Sequence, residues 1–584
     1  MKKSLLFSVA LAGLMLGSCS SSDDLNGGAT GTGSDKTGDG YVAFTINLPS
    51  QSKTGSRVDD SNNDNFKDGL ASEYDVKDAY LLLFDGASES VATFSKAYKL
   101  NTAPWTNPGG DKNVTTTSAT IVKKVDAPTS NYYALVVLNN NGVFNVDPNT
   151  GKLTIGTTDF SGKLDDFLKN ASATEGKTLT SNGFFMANAP LSTHAGGSSD
   201  PSGAEIKTLV SLDGKIKKTE AEAKASPADI YVERAVAKVT MKDASTVSSV
   251  TGSKPNGSSD EVKFKVEGWT LDNTNKITYL VRNTEGFSSW LSLASNATGV
   301  TNKYRFVGSN EVATGLYRTY FAKDVNFETA AAGAFNSSSD FKNAYGDNNP
   351  QYCYENTFDV DNQKDNQTTR VLIKASLNNG EDFYVINGDE NVIYKKDDVV
   401  KEYKKAFLTE YSQWIKAHVT SPTTVDENKL TVDLTDEAGA VTLNSISITG
   451  VTYDAVTTAL PAGYQTTVMN KVGDIKEYKN GSSYYFVRIK HFGESLTPWN
   501  TTETGTPSSA SVYPTGANRD GNYLGRYGVL RNNWYELEVT GVKGLGSPIV
   551  PSVTTTTDDE LESYIAVRIN VLSWAKRTQS AILH

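Results

Sequence analysis

The side chain with the largest chemical consequence is Cys19. It follows Leu16-Gly17-Ser18, behind Lys2, Lys3 and an apolar stretch from Leu5 to Leu16. That stretch is too short to cross a bilayer as a helix. A positive start, a short apolar run and small residues before a cysteine form a lipobox, so the spacing predicts cleavage before Cys19 and acylation of the new N-terminus. No other residues assemble into chemistry. The four histidines, His194, His418, His491 and His584, stand too far apart for a metal-ligand motif. His418 reads as a helix C-terminal residue and His491 as structural, since no nucleophile or carboxylate pattern accompanies it. Asp60-Ser-Asn62-Asn-Asp64-Asn65 begins like a calcium loop, but Asn65 and Ala71 stand where Gly and Glu are needed. Asp359 to Asp365 fails in the same way. Gly541 to Pro548 lacks the GK[ST] and helix of a phosphate loop. Paired carboxylates are unavoidable among 67 acids, so spacing nominates no glycosidase pair. The expectation is a non-enzymatic chain without cofactor or metal.

Bulk properties agree. The 584 residues are 38% hydrophobic, with 28 Tyr and 48 Gly, a mixture suited to strands and turns. The net charge of -11 argues against nucleic-acid binding and against a polybasic membrane patch. If Cys19 carries lipid, Cys353 has no partner and disulfides do not hold the fold.

These residues need elements to position them. Residues 1–18 read as a signal peptide and 19–40 as a polar, Gly-rich tether reaching on the order of 25 Å. Tyr41 to Pro49 is a strand, with Val42, Phe44, Ile46 and Leu48 on one face. The polar loop Ser50 to Gly69 carries Arg57. Strands are expected at 79–84, 120–125, 132–138, 230–240, 261–269, 369–375, 383–386, 484–490, 534–542 and 564–572. Helical pieces are expected at 164–168 and 220–224, and one long helix from Asp397 to Val419, capped by Asp397 or Asp398. A seam after Thr240 divides an N-terminal domain, 41–240, from a C-terminal domain, 241–584. The fold class is all-β with a few helical insertions.

The two ends of the chain form a pair. Ile565, Val567, Ile569 and Val571 make an apolar face matching Val42, Phe44, Ile46 and Leu48. Either strand fits one elongated groove. A cut in the exposed loop after Arg57, before Val58, would separate residues 41–57 from the fold. Burial of four such side chains is worth on the order of 6–12 kcal/mol before ordering costs, so the opened groove would seek a replacement strand. Strand addition between copies is heterologous and non-closing, which builds a filament.

With the acidic Ser20-Ser-Ser-Asp-Asp24 run, these features resemble surface-exported lipoproteins of Bacteroidetes, and more closely the FimA/Mfa-type fimbrillins of Bacteroidales, the subunits of type V pili. The segments Phe184–Pro190, Val232–Val239, Gly268–Lys276, Arg318–Asp324, Tyr352–Phe358, His491–Trp499 and Tyr564–Trp574 carry the resemblance. It implies two tandem transthyretin-like β-sandwiches and export as an outer-membrane lipoprotein. It also implies an Arg-specific maturation protease, with Lys53 a basic alternative to Arg57, and a head-to-tail homopolymer on the cell surface with anchor and tip subunits. The segment 562–584 would be the donor. The competing expectation is a non-polymerising surface lipoprotein or tip adhesin that binds glycan or host protein.

Overall fold

The computed structural model describes residues 40–47, 70–101, 118–170, 172–174, 179–180, 183–195, 204–287, 307–313, 315–359, 362–437, 439–455, 459–491, 527–555, 565–572 and 578–580. The described chain is mainly β with minor helices.

The first half is built on β1 (Gly40–Asn47), β2 (Ala79–Asp85), β3 (Thr93–Leu100), β4 (Ser118–Val125), β5 (Tyr132–Leu138), β6 (Met186–Asn188) and β7 (Ala228–Arg234). Two short helices accompany them, α1 (Leu164–Asn170) and α2 (Glu220–Ala225). The strands form one hydrogen-bonded path, β3-β2-β5-β6-β7-β1-β4. Alternation splits each strand between two faces. Leu81, Val136, Met186, Ile230, Phe44 and Ile121, one from each of six strands, belong to a single continuous core. A path this wide can share one core only if it curls so that its two ends face each other. The other face of β2 and β5 packs Leu82, Phe84, Leu135 and Val137 on Phe167 of α1.

The second half contains β8 (Val236–Met241), β9 (Phe264–Asp272), β10 (Gln351–Tyr354), β11 (Arg370–Leu377), β12 (Phe383–Ile386), β13 (Leu430–Glu437), β14 (Ala440–Ile448), β15 (Ile475–Tyr478), β16 (Ser482–Arg488), β17 (Trp534–Val542), β18 (Ile565–Leu572) and β19 (Thr578–Ser580). Its helices are α3 (Lys396–Glu410), α4 (Ser412–His418) and α5 (Tyr464–Val472). The sheet β10-β8-β17-β18-β19 and the sheet β9-β11-β16 share a core that includes Val239, Leu537, Trp269, Ile373 and Val487. That is a two-layer sandwich. A separate unit packs α3 and α5 on β12-β15-β14-β13 around Tyr403, Phe407 and Val468.

The sequence expectation and the structure differ in instructive places. The run expected as one strand from Ile230 to Thr240 is two. The chain leaves the first path at Ala235, whose N–H bonds to the carbonyl of Phe185, and re-enters pairing in the second sheet. The helix expected over 397–419 breaks at Tyr411 (φ −106°, ψ 16°), whose ring stacks on Phe407 at 5.2 Å. Lys395 takes the N-cap position, and Asp397 and Asp398 sit inside the first turn, where their charge is favourable to the positive end of the helix dipole.

Candidate functional site

β1 holds the position that the sequence makes most interesting. All eight of its residues pair antiparallel with β4, from Gly40 opposite Val125 to Asn47 opposite Ser118. On its other edge, Phe44 to Asn47 run parallel to Ala228–Tyr231 of β7. Tyr41 exchanges two backbone hydrogen bonds with Lys217, at 2.7 and 2.8 Å. Val42, Phe44 and Ile46 are each 0% exposed. Their burial is worth about 5–9 kcal/mol before ordering costs.

Periodicity leaves Ala43 on the opposite face, and Ala43 is buried as well, because α2 packs on β1 there with Ala223 turned inward. Gly40 opens the strand where a Cβ would run into the side chain of Ile216, so this end is closed to anything larger. β4 ends the path with β1 as its neighbour in it. Loss of β1 would therefore strip β4 of that pairing, free the edge of β7 and open the core under Ile121 and Ile230.

At the other end of the chain, β18 pairs antiparallel with β17. Ile565 stands opposite Val542, Val567 opposite Val539, Ile569 opposite Leu537 and Val571 opposite Tyr535. Thus β1 and β18 occupy different sheets of one chain and do not meet. Leu48, Arg57, Val58 and Cys19 lie outside the described residues.

Sequence reasoning missed the anchor just beyond the Arg57 loop. A 3-10 turn, Ala71–Tyr74, buries Glu73 completely. The Glu73 carboxylate lies 2.8 Å from Nζ of Lys238 on β8, accepts the Tyr352 hydroxyl of β10 at 2.6 Å and accepts the N–H of Leu70 at 3.0 Å. Arg234, the last residue of β7, donates Nε to the Glu73 carbonyl at 2.9 Å. Lys238 also sits 3.8 Å above the Trp534 ring. Burial draws its ammonium pKa below the ordinary value against the opposing pull of Glu73. Burial and the Glu73 charge push the Tyr352 hydroxyl up. The Glu73 carboxylate therefore ties residues 70–74 to β8 and β10 of the second half, and its backbone carbonyl ties them to β7 of the first. The signal available in the sequence was Lys238 itself, a charge inside the apolar run Val236-Ala-Lys-Val-Thr.

More buried charge secures the same junction. Glu233 pairs with Arg282 at 2.6 Å, and Arg282 also donates to the carbonyls of Thr319 and Tyr320. Arg531 donates to Glu355 at 3.1 Å and to the carbonyl of Tyr279.

The other sequence candidates have structural partners. His491 Nδ1 lies 2.6 Å from the Tyr535 hydroxyl, which also accepts the N–H of Leu530. His418 Nδ1 lies 2.8 Å from Asp454 in the last turn of α4. Asp365 accepts the N–H of Thr554 at 2.7 Å and faces Arg370. Asp359 accepts from Asn362. Among the described residues no cluster of three or more His, Cys, Asp or Glu could hold a metal ion, and no helix is long and apolar enough to cross a membrane.

Residues 512–580, which include β17, β18 and β19, match the family model of the major fimbrial subunit protein type IV, fimbrillin, C-terminal. No curated protein matches the sequence. Among solved structures, a candidate cell adhesion protein from Parabacteroides distasonis aligns over 94% of this chain and 99% of its own, at 9% identity and a TM-score of 0.36. A fimbrial assembly protein from the same species aligns over 57% of this chain and 81% of its own, at 11% identity and a TM-score of 0.23. At such values both are distant, and the functional reading rests on the family match and on the placement of β1.

Proposed function

We propose that this chain, which is of the fimbrillin type, is the repeating structural subunit of a cell-surface fimbria that polymerises by strand exchange. In this reading the precursor is exported as a lipoprotein on Cys19, and β1 keeps the core closed during transit. Cleavage between Arg57 and Val58 releases β1 together with the lipid. The C-terminal strand of another copy, through Ile565, Val567, Ile569 and Val571, then fills the vacated place of Val42, Phe44 and Ile46. Filaments grow head to tail at the outer membrane, between an anchor and a tip subunit.

One observation carries the reading. β1 is internal to the path and supplies three fully buried side chains to its core, yet it joins the rest of the chain through the segment that contains Arg57. Internal strands at a chain end are costly to remove, and their loss leaves a groove with unpaired backbone on both sides. The Glu73 anchor fits the same sequence of events. It fixes the chain from Leu70 onward to both halves, so a cut at Arg57 detaches β1 and leaves the remainder held.

The test is removal of the donor. Deletion of residues 564–584 is expected to leave secreted monomers, where the intact chain gives a ladder on unheated, non-reducing gels. Long filaments from the truncated chain would refute the assignment. A single monomer band from the intact chain would favour a non-polymerising adhesin.

A further inference from the structure

We infer that the incoming strand takes the place of β1 in β1's own direction, parallel to β7, with Tyr564 where Tyr41 stood, so that Arg568 of one copy meets Asp229 of the next. This inference rests on the strand-exchange reading and adds to it a direction, a register and a pair of residues that recognise each other.

The two segments are near copies. Tyr564-Ile-Ala-Val-Arg-Ile-Asn-Val571 set against Tyr41-Val-Ala-Phe-Thr-Ile-Asn-Leu48 keeps the tyrosine, the alanine, the second isoleucine position and the asparagine. It exchanges apolar for apolar at three more places. Only Thr45 against Arg568 changes character.

The acceptor enforces this register sterically. A slip by one residue turns the apolar face outward. A slip by two brings Tyr564 or Arg568 to the place of Ala43, which is 0% exposed beneath α2. Ala566 is the donor residue that fits there. At the entrance, Ser563 falls at the place of Gly40, where a Cβ runs into Ile216, so pairing begins at Tyr564.

Charge then distinguishes the seated strand from the one it replaces. Thr45 is opposite Asp229 on β7 and opposite Thr120 on β4, with the two threonine hydroxyl oxygens 3.3 Å apart. Asp229 is exposed. A guanidinium at the Thr45 position, one strand spacing of about 4.8 Å from Asp229, reaches its carboxylate.

The direction is favoured by a second match. Entry as β1 runs brings the acids Asp558, Asp559, Glu560 and Glu562 to the Gly40 end of the seat. There Lys217 flanks Tyr41 on one side, Lys218 follows it, and Lys123 stands opposite Val42 on the other. The acids that follow these lysines in sequence are already engaged: Glu220 with Lys224, the Glu222 carboxylate with the N–H and hydroxyl of Thr219, and Asp126 with Lys96. Opposite charge at the mouth of a groove speeds docking in a salt-dependent way.

Cysteine pairs in the full chain read the register directly. Fimbriae bearing Arg568→Cys and Asp229→Cys are expected to give covalent ladders in boiled, non-reduced samples, because neighbouring strands lie within disulfide reach. Arg568→Cys with Tyr231→Cys is expected to give none. Ladders from the second pair and not the first overturn the register and leave strand exchange standing. Filaments that cross-link with neither pair overturn the register and direction as well, and the deletion of residues 564–584 decides strand exchange itself. Charge reversal supplies a separate readout. Asp229→Arg is expected to slow polymerisation by roughly 1.5- to 5-fold, as for an exposed pair, and Arg568→Asp in the same chain to restore it. Equal rates across that series overturn the Arg568–Asp229 contact.

Discussion

Phe44→Ala separates a strand that stays from a strand that is discarded. Phe44 is 0% exposed and stands opposite Ile121 on β4 and Ala228 on β7. Truncation of a buried phenylalanine to alanine costs about 3–5 kcal/mol. In the precursor that loss falls on the pairing of β1 with β4, since β4 ends the path beside β1. Converted at 1.4 kcal/mol per tenfold, amide exchange in residues 118–125 and 228–231 should accelerate roughly 10²- to 4 × 10³-fold. Hydrogen exchange followed by mass spectrometry resolves these peptides. In assembled fimbriae the proposed account has β1 gone, so the same substitution should leave their protection unchanged. Equal acceleration in precursor and fimbriae would mean that β1 remains in place. No acceleration in the precursor would mean that Phe44 does not hold the core.

Three further perturbations address other parts of the account. Lys238→Met leaves Glu73 buried without its cation and should destabilise the folded chain by about 3–5 kcal/mol in denaturant unfolding; a loss under about 1 kcal/mol would contradict the anchor role. Burial raises the Asp324 carboxyl to about 7, with the N–H of Thr357 and the amide of Asn275 pulling the other way. Its folded pKa thus exceeds its unfolded one, and the folded chain holds a proton that the unfolded chain has lost between about pH 4 and 7. Stability from this group is full below about pH 4 and falls as pH rises through that window, at up to about 1.4 kcal/mol per pH unit. The difference in unfolding free energy between the native chain and Asp324→Asn should therefore shrink as pH rises from 4.5 to 7, and a constant difference would refute the assignment. Arg57→Ala should leave chains of precursor mass and no filaments; normal assembly would move the cut to Lys53 or elsewhere.

Much of this fold was legible where one face of a strand is apolar and the other is not. β1 and β17 follow from their period-two patterns, β2 and β5, which are buried on both faces, from short continuous apolar runs, and short helices were expected where α1 and α2 form. The hairpin of β13 and β14 escaped notice. Leu430, Val432 and Leu434 do alternate, but threonines and acids fill the other face and read as loop. β3 hid in the same way behind its lysines. Periodicity identified Val42, Phe44 and Ile46 as one face, but it did not disclose that Ala43 is buried as well, because α2 comes from residues far along the chain. Glu73 carried no local signal, since its partners Lys238 and Tyr352 are remote in sequence and become neighbours only through the topology. The pairing of β1 with β7 is parallel and spans most of the first half, a contact that no local pattern encodes.

The most direct test of the central claim is the N-terminal sequence of the chain as it stands in surface-assembled fimbriae. Loss of β1 with its lipid predicts a first residue of Val58. An N-terminus at acylated Cys19 in purified filaments would show that β1 is retained, and strand exchange at its seat could not then be the mode of assembly.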